Sequence, residues 1–133
     1  MKIKLLNENA QMPCKSHELD CGLDLFLPQR IVLNPHETVC IGLGLSVEIP
    51  EGYAGVLVPR SSIAKKGILI HAAIIDPGYK GEIHLVATNC TCDSIWTFNK
   101  GDRLCSLVCY NILNPTINPE DNRGTGGLGS TGK

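Results

Sequence analysis

Short apolar runs broken by turn residues follow one another along most of the chain: Ile3 to Leu6, Leu23 to Leu27, Ile31 to Leu33, Thr38 to Ile41, Leu45 to Ile49 and Tyr53 to Val58. Runs this short, bounded by Gly, Pro, Asn and Asp, predict strands rather than helices. Two segments alternate. Leu45, Val47 and Ile49 oppose Ser46 and Glu48, while Ile83, Leu85 and Ala87 oppose Glu82, His84 and Val86. Such alternation predicts strands with one buried face. Pro50-Glu51-Gly52, Asp76-Pro77-Gly78 and Asn99-Lys100-Gly101 separate apolar runs and place glycine where a tight turn needs positive φ. Ser61-Ser62-Ile63-Ala64-Lys65-Lys66-Gly67 breaks the pattern, opening on a hydroxyl suited to capping and closing on a helix-stopping glycine. The pattern predicts an all-β sandwich or barrel with one short helix.

A chain of 133 residues fits one domain with one core. No apolar stretch approaches the roughly 20 residues of a membrane helix, so a soluble protein without a membrane partner is expected. Met1-Lys2-Ile3-Lys4-Leu5-Leu6 lacks a signal-peptide core. The expected location is the cytoplasm, or the interior of a host cell if the source is viral. A formal net charge of -1 gives duplex nucleic acid little to hold, which argues against stable nucleic-acid binding but leaves a small anionic ligand open. The seven cysteines are an odd set in a chain expected to stay in a reducing compartment, so no disulfide framework is expected. Neither Cys90 with Cys92 nor Cys105 with Cys109 has zinc-site spacing. The cysteines read as small buried hydrophobes. His17, His36, His71 and His84 share no metal-ligand spacing, and Trp96 reads as core or interface packing.

Three segments carry candidate chemistry. From Arg123 to Gly132, glycines free backbone amides to converge while Arg123, Ser130 and Thr131 add donors, which suits a phosphate cradle or equally a solvated tail. Pro59-Arg60-Ser61-Ser62, where a strand meets the short helix, brings a guanidinium and two hydroxyls to one spot. Phosphate is one reading, and a capping serine with a surface arginine the other. In Ile74-Ile75-Asp76-Pro77-Gly78-Tyr79 a carboxylate follows an apolar pair read as buried and precedes a tight turn. It would be held rigidly enough for general-base work, with Tyr79 as a flat wall, unless the segment is simply a good turn.

In order and spacing, five segments together resemble the five motifs of the homotrimeric dUTPases. Cys21-Gly22-Leu23-Asp24-Leu25 resembles the first, Pro59 to Ala64 with Gly67 the second, and Ile75 to Gly81 the third. Gly101-Asp102-Arg103-Leu104-Cys105-Ser106-Leu107 resembles the fourth, and Arg123 to Gly132 the fifth. The resemblance implies a distorted jelly-roll β-barrel over residues 1–113 and a mobile glycine-rich arm over 114–133. Three subunits would share each active site, with the arm closing over a site on a neighbour. It implies Mg²⁺-dependent hydrolysis of dUTP to dUMP and pyrophosphate, which keeps uracil out of DNA and supplies dUMP for dTMP synthesis.

Asp76 would be the catalytic residue, activating water for attack at the α-phosphorus. Asp24 would support Mg²⁺ through water or brace the surroundings of Asp76. Tyr79 would stack beneath deoxyribose and reject a 2′-hydroxyl, while the backbone from Leu69 to Ile74, including Ala73 and Ile74, would read uracil. Arg60, Ser61, Ser62 and Ser106 would meet phosphates. Arg123, Leu128, Gly129, Ser130 and Thr131 would close the site from the arm. The chain departs from the family pattern at Cys21, Ala73, Ser106 and Leu128, usually Ala, Gly, Gln and an aromatic respectively, which predicts weaker dUTP capture with the chemistry retained.

Two alternatives share these features. One is a dCTP deaminase-like or bifunctional enzyme, which resembles the same Arg-Ser-Ser and Asp-Pro-Gly-aromatic segments but places a catalytic glutamate where this chain has Val86. The other is a nucleotide-binding regulatory trimer with reduced turnover.

Overall fold

The computed structural model describes residues 1–120. Among them the chain forms β1 (Ile3–Leu5), β2 (Gly22–Phe26), β3 (Ile31–Leu33), β4 (Thr38–Gly42), β5 (Leu45–Val47), β6 (Tyr53–Pro59), α1 (Ser61–Ala64), β7 (Ile68–Ile70), β8 (Ile74–Ile75), β9 (His84–Asn89), β10 (Trp96–Phe98) and β11 (Arg103–Asn111). The strands pair in the orders β1-β5, β10-β3, β2-β11-β6-β8 and β4-β9-β7. Val47 of β5, Leu33 of β3, Leu107 of β11 and Leu85 of β9 are each at most 1% exposed and join one hydrophobic cluster. Sheets that deliver side chains to a common cluster must wrap around it, which gives the jelly-roll barrel its single core. No helix among the described residues is long and apolar enough to cross a membrane.

Both alternating segments bury the expected faces: Leu45, Val47 and Ile49 on one, Ile83, Leu85 and Ala87 on the other. The three turns share one construction. Tyr53, Tyr79 and Asp102 donate backbone N–H to the carbonyls of Pro50, Asp76 and Asn99. Gly52, Gly78 and Gly101 occupy the third position at φ 86°, 88° and 89°. Only glycine takes that conformation without a Cβ penalty.

Three expectations are corrected. The helix is the expected short one, a single turn over Ser61–Ala64, but its N-cap is Arg60 rather than a serine, with no side-chain cap bond. β6 runs straight into the helix, so Ser61 falls inside the first turn and the Arg60 carbonyl accepts from Ile63 and Ala64. Ile74 and Ile75 are not a buried pair: Ile75 is 5% exposed, Ile74 69%. They are consecutive residues of edge strand β8, so the pleat sends them to opposite faces. Finally, Cys14, Cys21, Cys40, Cys90 and Cys92 are exposed, Cys109 is half-buried, and only Cys105 is buried. Four of the exposed thiols lie outside strands and Cys40 takes an outward position of β4, placements that a thiol's apolar character does not determine.

Asn89 is fully buried, and its amide is fully used. Its Nδ2 donates to the carbonyls of Leu33 at 3.0 Å and Ser94 at 2.7 Å, while Oδ1 accepts from the backbone N–H and hydroxyl of Thr91. It fastens β3 to the connection between β9 and β10. Replacing it leaves buried partners unpaired, so Asn89→Leu is expected to lower unfolding free energy by about 2–4 kcal/mol in urea titrations. An unchanged midpoint would show that these bonds contribute nothing net.

Candidate functional site

The antiparallel ladder between β2 and β11 sets Asp24 directly opposite Ser106. Strict alternation from Leu107 would send Cys105 and then Arg103 to the core side. The register instead shifts between Arg103 and Cys105. Leu104 and Cys105 both turn inward, each 1% exposed, and Arg103 emerges on the face that carries Asp24. A bulge of this kind re-aims a side chain without breaking the strand. Arg103 Nη1 reaches Asp24 Oδ2 at 2.9 Å. Ser106 Oγ donates to Asp24 Oδ1 at 2.8 Å and Ser16 Oγ to Oδ2 at 3.0 Å.

Asp24 is 8% exposed. Burial pushes its carboxyl up, but the hydrogen bonds from Ser106 and Ser16 and the charges of Arg103 and Arg60 outweigh that and hold it below its ordinary value. The same charge adds to burial in raising the neighbouring Cys105 thiol to about 12, which leaves it protonated and inert. Arg60 joins the cluster through its backbone N–H, bonded to the Leu104 carbonyl, and through Nη1, which donates to the Arg103 carbonyl at 3.1 Å. Ser61 and Ser62 are exposed just beyond it. A cleft of about 450 Å³ lined by Arg60, Ser62, Lys66, Trp96 and Arg103 opens alongside. Its charged lining is three cations, Arg60, Lys66 and Arg103, against one carboxylate, Asp102, which leaves the cleft net positive.

The second constellation lies at the turn after β8. Ile75 anchors it in the core and Asp76 stands exposed at its start. The Tyr79 ring folds back over Gly81, where a Cβ would run into the phenol. Its hydroxyl donates to the Glu82 carbonyl at 2.9 Å, and the Glu82 carboxylate accepts from the Gly44 N–H at 2.8 Å. The turn carrying Asp76 is therefore tied to the body of the protein at both its strand and its far end. Ala73, Ile74 and Tyr79 share a shallow pocket of about 190 Å³ with Glu82 and His84. The Ala73 carbonyl accepts from the Leu57 N–H.

One chain does not bring these constellations together. Asp24 pairs with Ser106 and Ser106 with Val58, whereas Asp76 follows the Gly55–Ile75 pair at the other edge of the same sheet. Three interstrand spacings and four residues of strand separate them by about 20 Å. Arg123, Leu128, Gly129, Ser130 and Thr131 lie outside the described residues. Ser16 and the Arg103 ion pair were not legible in the sequence: Ser16 lies in irregular chain between β1 and β2, and a bulge has no spacing signature.

No group of three His, Cys, Asp or Glu residues suited to hold a metal ion occurs among the described residues. Asp24 is the carboxylate that fits a supporting role. It accepts three hydrogen bonds from about four lone-pair positions, which leaves one on Oδ1 for a metal-bound water. The donor set suits contact through water rather than direct ligation.

A family model described as dUTPase matches residues 8–132. The deoxyuridine 5'-triphosphate nucleotidohydrolase of Clostridium tetani is 36% identical, covering 100% of the chain and 97% of the relative. That of Paramecium bursaria Chlorella virus 1 is 34% identical, covering 98% and 96%. Among solved structures, a Staphylococcus bacteriophage 80alpha dUTPase mutant with dUpNHpp has a TM-score of 0.86 at 27% identity, covering 99% of this chain and 94% of that one. A dUTPase mutant from phage phi11 of S. aureus, which reveals the coordination of a structural Mg(II) ion, has a TM-score of 0.85 at 29% identity, covering 93% and 98%.

Because the folded pKa of Asp24 lies below its ordinary 3.8, its ionised form favours the folded state. That contribution is complete above pH 3.8 and is lost as the pH falls through the lower folded value. Asp24→Asn is therefore expected to be less stable than the parent at neutral pH, with the gap narrowing on acidification below that range in urea titrations. A gap independent of pH would contradict the assignment.

Proposed function

The chain belongs to the dUTPase family, and we propose that its two half-sites carry out the family reaction, hydrolysis of dUTP to dUMP and pyrophosphate, at the junctions of a homotrimer. The observation that carries this reading is the separation of the Asp24–Arg60 cluster from Asp76 by about 20 Å along one sheet. A rigid sheet cannot bring its own edges together, so a complete site needs the first cluster of one copy beside the Asp76 turn of another. Three copies around a threefold axis give three such junctions.

In each junction Asp76 holds a water in line with the α-phosphorus and takes its proton as the new P–O bond forms. The bond from the α-phosphorus to the bridging oxygen breaks, and pyrophosphate leaves. No covalent intermediate is involved. Placement of the 3′-hydroxyl by the same carboxylate fixes the attack geometry. Tyr79, already held by Gly81 and Glu82, stacks beneath deoxyribose and leaves no space for a 2′-hydroxyl. Uracil meets peptide groups of the segment containing Ala73 and Ile74. Arg60, Ser61 and Ser62 take the α- and β-phosphates. Arg123, Ser130 and Thr131 close over the γ-phosphate while Leu128 and Gly129 cover the base, and closure excludes water. Mg²⁺ bound with the substrate would supply neutralisation of the charge that develops on the phosphate oxygens. Asp24 would hold it through water, with the lone pair that Ser106, Ser16 and Arg103 leave open.

Asp76→Asn is expected to lower kcat at least about 10²-fold while dUTP binding persists. Arg60→Ala is expected to be impaired through phosphate binding. Refolding these two variants together should restore turnover that neither shows alone, because mixed trimers contain junctions with both halves intact. Pyrophosphate release that stays at the level of the separate variants would rule out a shared site. A fully active single chain by light scattering would do the same.

A further inference from the structure

Resting on this reading of the site, we propose that Ser106 is a positioning residue: together with Ser16 and Arg103 it fixes the carboxylate of Asp24, and it does not itself donate to a substrate phosphate.

The proton count supports this. A serine hydroxyl has one proton to give. Ser106 Oγ directs it to Asp24 Oδ1 at 2.8 Å, a charge-assisted bond. What remains on the Ser106 oxygen is lone pairs, which repel a polyphosphate. Gly22 on the neighbouring strand leaves the room that Ser106 occupies, since a Cβ placed there would lie 2.8 Å from Ser106 Cβ. Ser16 follows the same logic, accepting from Arg103 Nη1 at 3.1 Å while donating to Asp24 Oδ2 at 3.0 Å. Arg103 also donates directly to Oδ2.

The result is a directional network, Arg103 to Ser16 to Asp24 on one oxygen and Ser106 to Asp24 on the other. Two bonds saturate Oδ2. The single bond from Ser106 prevents the carboxylate from rotating and leaves one lone pair of Oδ1 in a fixed direction. Arg103 reaches this face only because of the bulge at Leu104, and its carbonyl simultaneously holds Arg60. Ser106 therefore acts on the phosphates at one remove.

The test is a double-mutant cycle with a metal-free arm. Ser106→Ala is expected to lower kcat/KM about tenfold in the parent and to have little further effect in an Asp24→Asn background. Ser106→Thr, which keeps the hydroxyl, is expected to recover most of the loss. In calorimetry with an α,β-imido analogue of dUTP, Ser106→Ala is expected to weaken binding when Mg²⁺ is present and to leave metal-free binding unchanged. Equal losses in both backgrounds, or weakened metal-free binding, would mean direct phosphate contact and overturn the inference. Undiminished turnover of Asp24→Asn would overturn it differently, by removing the role assigned to Asp24 itself.

Discussion

The ladder that inserts β11 between β2 and β6 is the constraint on which both the core and the site depend. It joins Arg103–Asn111 to segments that lie some fifty to eighty positions earlier in the chain, so its closure entropy must be met before its contacts form. Once it forms, Leu104, Cys105 and Leu107 complete the core on one face, while Asp24, Ser106 and Arg103 meet on the other. Arg60, one residue beyond the Pro59–Cys105 pair, is delivered by the same registration. Shifting β11 by a single residue would exchange its faces, exposing leucines and burying an arginine. Folding and assembly of the Asp24–Arg103 cluster are thus one event.

Two carboxylates illustrate how environment assigns roles. Asp24 is nearly out of water, which for an isolated ion would cost several kcal/mol, and it remains charged because two hydroxyls and a guanidinium replace its hydration. Such a group is fixed in charge and direction but has little freedom left to exchange protons. Asp76 is exposed at the head of a glycine-dependent turn. Its position is set by the backbone, through Ile75 in the core and the Tyr79–Glu82–Gly44 bonds, while its oxygens remain open to solvent. A water-activating carboxylate needs that combination of rigid main chain and accessible oxygens. The asymmetry supports placing proton transfer at Asp76 and electrostatic support at Asp24.

Much of this was legible in the sequence, for identifiable physical reasons. Period-two alternation at 45–49 and 83–87 and the glycines at 52, 78 and 101 report strictly local requirements, and the structure meets each of them. Arg60 and Asp76 could be picked out by residue type and local setting, and Asp24 through the resemblance of Cys21 to Leu25 to a family motif. What could not be read depended on partners distant in sequence. The exposed face of Ile74 follows from β8 being an edge strand, and the exposed cysteines follow from where loops lie. Ser16 and Arg103 become partners of Asp24 only through a strand pairing and a register shift. Asn89 looks like any turn-forming asparagine until four hydrogen bonds converge on it in the core.

Sheet geometry also explains why catalysis would be tied to assembly. The Asp24 cluster and the Asp76 turn occupy opposite edges of the β2-β11-β6-β8 sheet. Successive strands rotate by about 20–25° relative to one another, so a four-stranded sheet turns its edges away from each other as well as holding them apart. Side-chain reach covers only a small part of a gap of about 20 Å. No local hinge closes it without breaking the ladders that build the core. A second chain solves the problem without deformation, because the edge that is distant within one copy can be adjacent between copies. Each subunit could then stay rigid, which would keep Asp24 and the Asp76 turn individually preorganised, and the ligand would be held by the fit between surfaces.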